Sequence, residues 1–307
     1  MITAQMVKEI REKTGAGIMA CKKALSEAKG DMDKASEIIR KKGVIVAVNK
    51  ADRVTAEGIV EIYVADDNKS AGIVELNCET DFVAANNEFI TLAKNLAKQA
   101  ALTTASNIDD FVGEKCIADA STTIKENVTA LIAKLGENMS VRRFENFSVT
   151  NNIIQGYVHG GGRIGSIVEL VCTINNSTLI EIAKTLAMQV VATNPLFLDK
   201  NSLDEEALNK KREGYKVEAF NEGKPKKIIE KIVEGKTQRY LKEVCLVEQV
   251  WVKNPDYTIK KYLEEKSKEI GAIISIVRFV RFERGDGMEK KEENFAEEVQ
   301  MQIQNRK

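Results

Sequence analysis

Two segments of this chain are near-copies of each other, and that duplication constrains the fold more than any other feature of the sequence. The stretch GIVELNC (72–78) returns as SIVELVC (166–172), and FITLAKNLAKQ (89–99) returns as LIEIAKTLAMQ (179–189). The first pair is rich in β-branched residues, as a strand is. The second carries apolar residues at helical spacing. The strand copies are offset by 94 (167 minus 73) and the helix copies by 90 (179 minus 89). A period this long does not describe a solenoid, whose repeats run about 20–50 residues. It describes two similar subdomains, each an antiparallel hairpin backed by a helix, so the expected class is α+β. At 307 residues the chain has room for this pair and for more around it.

Residues 1–45 read as a three-helix N-terminal module. Thr3 and Asp31 are placed to cap helices, and Gly15, Gly30 and Gly43 to stop them. Residues 46–55, lysine-rich at their approach, read as a solvated linker. The first core subdomain spans 56–147. It opens with strands at 57–64 and 72–76 around the turn Asp66-Asp67-Asn68, then helices at about 87–101 and 121–136. The second spans 148–200 and 244–285, with strand-like sequence at 244–247, a helix near 257–270 and a strand at 272–282. Between its two pieces, residues 201–243 read as an antiparallel coiled-coil hairpin that turns at Asn221–Pro225. Residues 286–307 form a charged C-terminal module.

The difference of four between the two offsets is informative. Ten residues, ETDFVAANNE, join strand to helix in the first copy, and six, TINNST, suffice in the second. The enlarged connection carries Thr80, Asp81, Phe82 and Val83. Binding groups concentrate in loops held by a rigid scaffold. Phe82 can fold back on its own core, with Thr80 or Asp81 capping a following turn. Alternatively it stands outward as a wedge for a partner, where its burial is worth roughly 1.5–3 kcal/mol. The four-residue excess favours the wedge.

Other motifs carry less. Gly160, Gly162 and Gly165 match G-x-G-x-x-G, but a phosphate-binding loop must open a helix, and SIVEL follows here. The glycines read as a hairpin turn. His159 is the only histidine and has no evident nucleophile in its sequence context, so a contact or structural role at that turn ranks ahead of a general base. Cys21, Cys78, Cys116, Cys172 and Cys245 are scattered, with no C-x-x-C spacing, and point to packed thiols in a reducing compartment rather than a metal centre. Lys+Arg and Asp+Glu both number 46, so no overall basic field attracts nucleic acid. No apolar run approaches the ~20 residues that span a bilayer. No cofactor and no membrane are expected, and the location expected is cytoplasmic.

Four stretches together resemble the elongation factor Ts family of bacterial guanine-nucleotide exchange factors. They are VKEIREKTGAGIMACKKALSEAKGD (7–31), VELNCETDFVAANNEF (74–89), GYVHGGGRIGSIVE (156–169), and GKPKKIIEKIVEGK (223–236) with EVCLVEQ (243–249). The resemblance implies an N-terminal module similar to ubiquitin-associated domains, a two-subdomain core, a coiled-coil hairpin and a C-terminal module. It further implies elongation factor Tu in the GDP-bound state as the partner, with no bond made or broken. Thr80, Asp81, Phe82 and Val83 are implied as the element that disturbs the partner's Mg²⁺ site, with His159, Ile18 and Met19 as secondary contacts and no direct nucleotide binding. The sequence departs from the family pattern at Ala20, at Val250-Trp251 and at Arg284. An adaptor working through the N-terminal module is the alternative.

Overall fold

A computed structural model describes residues 2–288. Three helices open the chain: α1 (Ala4–Thr14), α2 (Ile18–Glu27) and α3 (Met32–Val48). Thr3 Oγ1 accepts the Met6 amide, Asp31 accepts those of Asp33 and Lys34, and Gly15 ends α1 in the left-handed region. Ile10, Cys21, Ala24, Leu25 and Ala35 close a small core. Gly43 does not stop α3 as expected. The helix runs on to Val48, so the proposed 46–55 linker begins inside it.

The first subdomain follows: β1 (Glu57–Val64), β2 (Ser70–Cys78), α4 (Asp81–Ala84), α5 (Asn87–Ala100), α6 (Ile108–Gly113), β3 (Lys115–Cys116), β4 (Asp119–Thr123), α7 (Ile124–Leu135) and β5 (Met139–Ser148). Its sheet is antiparallel in the order β1-β2-β5, with β3 and β4 a separate two-stranded ribbon. The reason for the longer α3 lies here. Gly43 packs against Ala133 of α7, Arg40 pairs with Glu126 at 3.0 Å, and Lys50 Nζ donates to Gly136 O at 2.5 Å. Packing onto α7 overrides the glycine's weak helix propensity.

The second subdomain holds β6 (Ile153–His159), β7 (Ile164–Val171), α8 (Ser177–Thr193), α9 (Glu205–Asn221), α10 (Lys226–Val244), β8 (Val250–Trp251), β9 (Asn254–Thr258), α11 (Ile259–Ile270) and β10 (Ser275–Glu283). Its sheet runs β10-β7-β6. Helices α9 and α10 form the hairpin. Its foot is Leu241, Val244 and Cys245 against Phe197, Leu203, Leu208 and Tyr240. Residues 244–247 are not a strand: α10 reaches Val244, Leu246–Glu248 is a 3₁₀ turn, and one bridge joins Cys245 to Phe197. The apolar run is explained by Leu246, which is drawn into the second core.

The duplication extends well beyond the quoted segments. Helices α7 and α11 are both capped by threonine, Thr123 and Thr258, and both end on a left-handed glycine, Gly136 and Gly271. These sites are offset by 135 (271 minus 136), so the helical hairpin is the insertion that raises the offset from 90. The two sheets pack on each other through Val60, Ile73, Phe147, Ile154, Ile167 and Phe282. In the first copy Glu75 accepts Arg143 Nε at 2.6 Å, and in the second Glu169 accepts Arg278 Nε at 2.8 Å. Each guanidinium then lies over the other subdomain's phenylalanine: Arg143 on Phe282 at 4.3 Å, Arg278 on Phe147 at 3.9 Å. That reciprocity is the mark of a two-fold interface, here inside one chain.

Candidate functional site

The four extra residues between β2 and α5 are taken up by α4, a single turn of four residues. The stretch expected to be a loop is therefore helical. Thr80 is extended at its N-terminus (φ −128°, ψ 157°), and its Oγ1 accepts the Val83 amide at 3.4 Å. Ala84 donates to Thr80 O at 3.2 Å and Ala85 to Asp81 O at 3.0 Å. Asn86 then caps α5 by accepting the Glu88 amide at 2.8 Å. The capping half of the fold-back expectation is thus met.

The other half is not. One helical turn sends successive side chains about 100° apart, and Val83 and Ala84 take the inward positions against Cys78 and Phe89. Phe82 is left facing out and is 84% exposed. Asp81 beside it is exposed, and among the described residues no hydrogen bond or ion pair engages its carboxylate.

What holds the turn lies 57 residues along the chain. Thr80 N–H donates to Glu137 Oε2 at 3.0 Å, and Thr80 Oγ1 donates to Glu137 Oε1 at 2.7 Å. Next door, the Asn138 amide donates to Glu79 Oε1 at 2.6 Å. Burial, with the Glu137 carboxylate adding to it, pushes the Cys78 thiol up to about 12. Cys78 Sγ–H donates to Thr80 O at 3.1 Å. Sequence reasoning missed Glu137, because a contact this distant leaves no local pattern.

The remaining candidates sit on other elements. Ile18 and Met19 occupy the first turn of α2, and Met19 is 75% exposed. His159 ends β6, exposed, with Nδ1 3.1 Å from the Tyr157 hydroxyl. Gly160, Gly161 and Gly162 have φ of 61°, 64° and 94° and lead into β7, as the hairpin-turn assignment required. The α3 extension adds Val44, Ile45 and Val48 as exposed apolar residues that had been divided between a helix end and a linker. Among the described residues no cluster of three or more His, Cys, Asp or Glu side chains is arranged to hold a metal ion. No described helix is long and apolar enough to cross a membrane.

A sequence profile of the family described as Elongation factor TS matches residues 79–286, starting at the residue before Thr80. The chain is 59% identical over 303 residues to the elongation factor Ts of Clostridium novyi (strain NT), covering 99% of each. It is 61% identical over 304 residues to that of Clostridium tetani (strain Massachusetts / E88), covering 99% of this chain and 100% of the relative. It is 57% identical over 303 residues to that of Clostridium botulinum (strain Loch Maree / Type A3), covering 99% of each. With a profile over most of its length, and relatives of this identity from end to end, the chain belongs to the elongation factor Ts family.

Proposed function

We propose that the chain is a guanine-nucleotide exchange factor that promotes GDP release from elongation factor Tu, with Thr80–Val83 as its exchange element. The observation that carries the proposal is the ring of Phe82, exposed on a turn whose next two residues are buried. An aromatic side chain left in water gains by entering a partner, roughly 1.5–3 kcal/mol for full burial.

Inserted into the nucleotide domain of the GTPase, Phe82 displaces groups that hold Mg²⁺. The Mg²⁺–phosphate contacts weaken and GDP leaves. Asp81, with no side-chain partner among the described residues, competes for polar groups beside the metal. Linkage makes the effect reciprocal: nucleotide weakens factor binding by the factor to which it is itself weakened. A coupling of ~1–3 kcal/mol gives about 5–150-fold. Larger acceleration therefore needs further contacts, for which Ile18, Met19 and His159 are available. This chain neither binds nucleotide nor breaks a bond, and it acts in the cytoplasm. The test is release of a fluorescent GDP analogue from elongation factor Tu. Phe82→Ala should lose most of the acceleration, and native-like acceleration would remove the wedge.

The exposed Ile18-Met19 pair also suits an adaptor that binds through the N-terminal module. Capture of other proteins but no GTPase by the full chain favours that alternative.

A further inference from the structure

We infer that Glu137, in the turn between α7 and β5, is a positioning residue that sets the pose of Phe82. The inference rests on the exchange-factor proposal above and deepens it.

A four-residue helix cannot hold itself, because its first turn fixes several dihedral angles for little hydrogen bonding. Phe82 contributes no anchor, being outside the core. Val83 and Ala84 anchor one face. The other anchor is the Thr80–Glu137 pair. A hydroxyl has one proton and two lone pairs. Glu137 Oε1 takes the Thr80 proton at 2.7 Å, which leaves a lone pair turned toward the Val83 amide. Glu137 Oε2 takes the Thr80 amide at 3.0 Å. Both oxygens of one carboxylate thus hold one residue in the extended geometry that starts the turn. Hydrogen bonds to a charged acceptor are the stronger kind.

Glu137 is itself held on both sides. Gly136 before it ends α7 at φ +79°, and its carbonyl accepts Lys50. Asn138 after it donates its amide to Glu79 and its Nδ2 to Ala51 O at 3.2 Å and Arg53 O at 2.9 Å. Two carboxylates therefore cross between the strands in opposite senses, Glu137 to Thr80 and Glu79 to Asn138. Without Glu137 the Thr80 hydroxyl is free to rotate, the cap weakens, and Phe82 samples poses that do not enter the partner. Only the competent fraction contributes to exchange.

The test uses the full chain and elongation factor Tu loaded with a fluorescent GDP analogue. Glu137→Gln keeps the shape but offers an NH₂ group where Thr80 needs an acceptor. Release at saturating factor should fall about tenfold, the lower range for a charge-assisted hydrogen bond. In the free protein, amide hydrogen exchange at Val83, Ala84 and Ala85 should speed up while the sheet keeps its protection. Glu137→Ala added to Phe82→Ala should cost nothing further. If Glu137→Gln destabilises the fold, Thr80→Val breaks the same pair from the other side, and the same readouts apply. Native release by Glu137→Gln beside slow release by Phe82→Ala overturns the inference, as does unchanged protection of the three amides. Native release by Phe82→Ala instead removes the wedge from the exchange-factor proposal and leaves the amide measurement to judge the clamp.

Discussion

Gln99 and Gln189, ninety residues apart (189 minus 99), perform the same task in the two subdomains. Gln99 Nε2 donates to Lys115 O at 2.9 Å and its Oε1 accepts the Ile117 amide at 3.1 Å. Gln189 Nε2 donates to Val250 O at 3.0 Å and its Oε1 accepts the Val252 amide at 2.9 Å. Each buried side chain clamps a two-stranded ribbon, β3–β4 or β8–β9, onto the repeat helix. Thr103 and Thr193 complete the pair by donating to Glu114 and Gln249. The final glutamine of each copied helix segment is thus explained by a contact that neither segment contains.

Removing either clamp takes away two side chain–backbone hydrogen bonds at partly buried sites, at about 0.5–1.5 kcal/mol each. Gln99→Leu and Gln189→Leu should each destabilise the fold by ~1–3 kcal/mol and by similar amounts. Chemical denaturation midpoints of the two variants check this. A large loss from one and none from the other breaks the equivalence.

Gly72 and Ser166 are the counterparts where strand meets helix. A Cβ on Gly72 would collide with backbone of Ala97 and Ala100 in α5 and of Ala101 just after it. Ser166 has its side chain accommodated, with Oγ donating to Ala187 O of α8 at 2.8 Å. Gly72→Ala should therefore cost ~1–3 kcal/mol through forced separation. Ser166→Ala should cost ~1 kcal/mol through one lost hydrogen bond. Thermal midpoints should fall in that order.

Cys78 gives a pH signature. Its thiol is pushed from 9.0 to about 12, burial being the main cause. Above pH 9 the unfolded chain loses this proton while the folded chain keeps it. Stability is then complete below about 9 and declines as pH rises toward about 12. Cys78→Ala should show a shallower decline between pH 9 and 11 in thermal unfolding, whatever its offset at neutral pH. Parallel curves for the two proteins would remove the thiol from the account.

The helical hairpin should be dispensable for folding. Away from its foot, its buried residues Ala219, Val233 and Thr237 lie within α9 and α10. Replacing residues 209–238 with a short glycine-rich link should leave the unfolding transition of the core cooperative, with its midpoint little changed. Loss of cooperativity would show that the hairpin contributes to the core.

What was legible in the sequence was local or self-similar. Thr3 and Asp31 cap helices by short-range chemistry, and Gly160–Gly162 make a turn wherever a chain reverses there. The copied segments identified two subdomains because each copy carried the same core face. What was hidden depended on distant packing. Helix α3 passes Gly43 because Ala133 is waiting for it. Strand β5 carries Arg142 and Arg143, which look solvated until Glu75 is seen to accept both. Leu246 resembles a strand residue but follows the core of α8 and α11 instead. At the candidate site, the exposure of Phe82 followed from an excess of chain length, whereas its support by Glu137 had no local trace. The C-terminal module at 286–307 lies almost wholly outside the described residues.

The unbroken passage of α3 onto α7 bears on how a partner is met. A module on a loose tether must be gathered at the moment of docking, which costs conformational entropy. Here the tip of α2 and the Phe82 ring are carried by one packed body. A partner touching both engages the second contact at high effective concentration. Severing that rigidity, by inserting flexible residues after Val48, should lengthen the search for the second contact while leaving each contact's own chemistry intact.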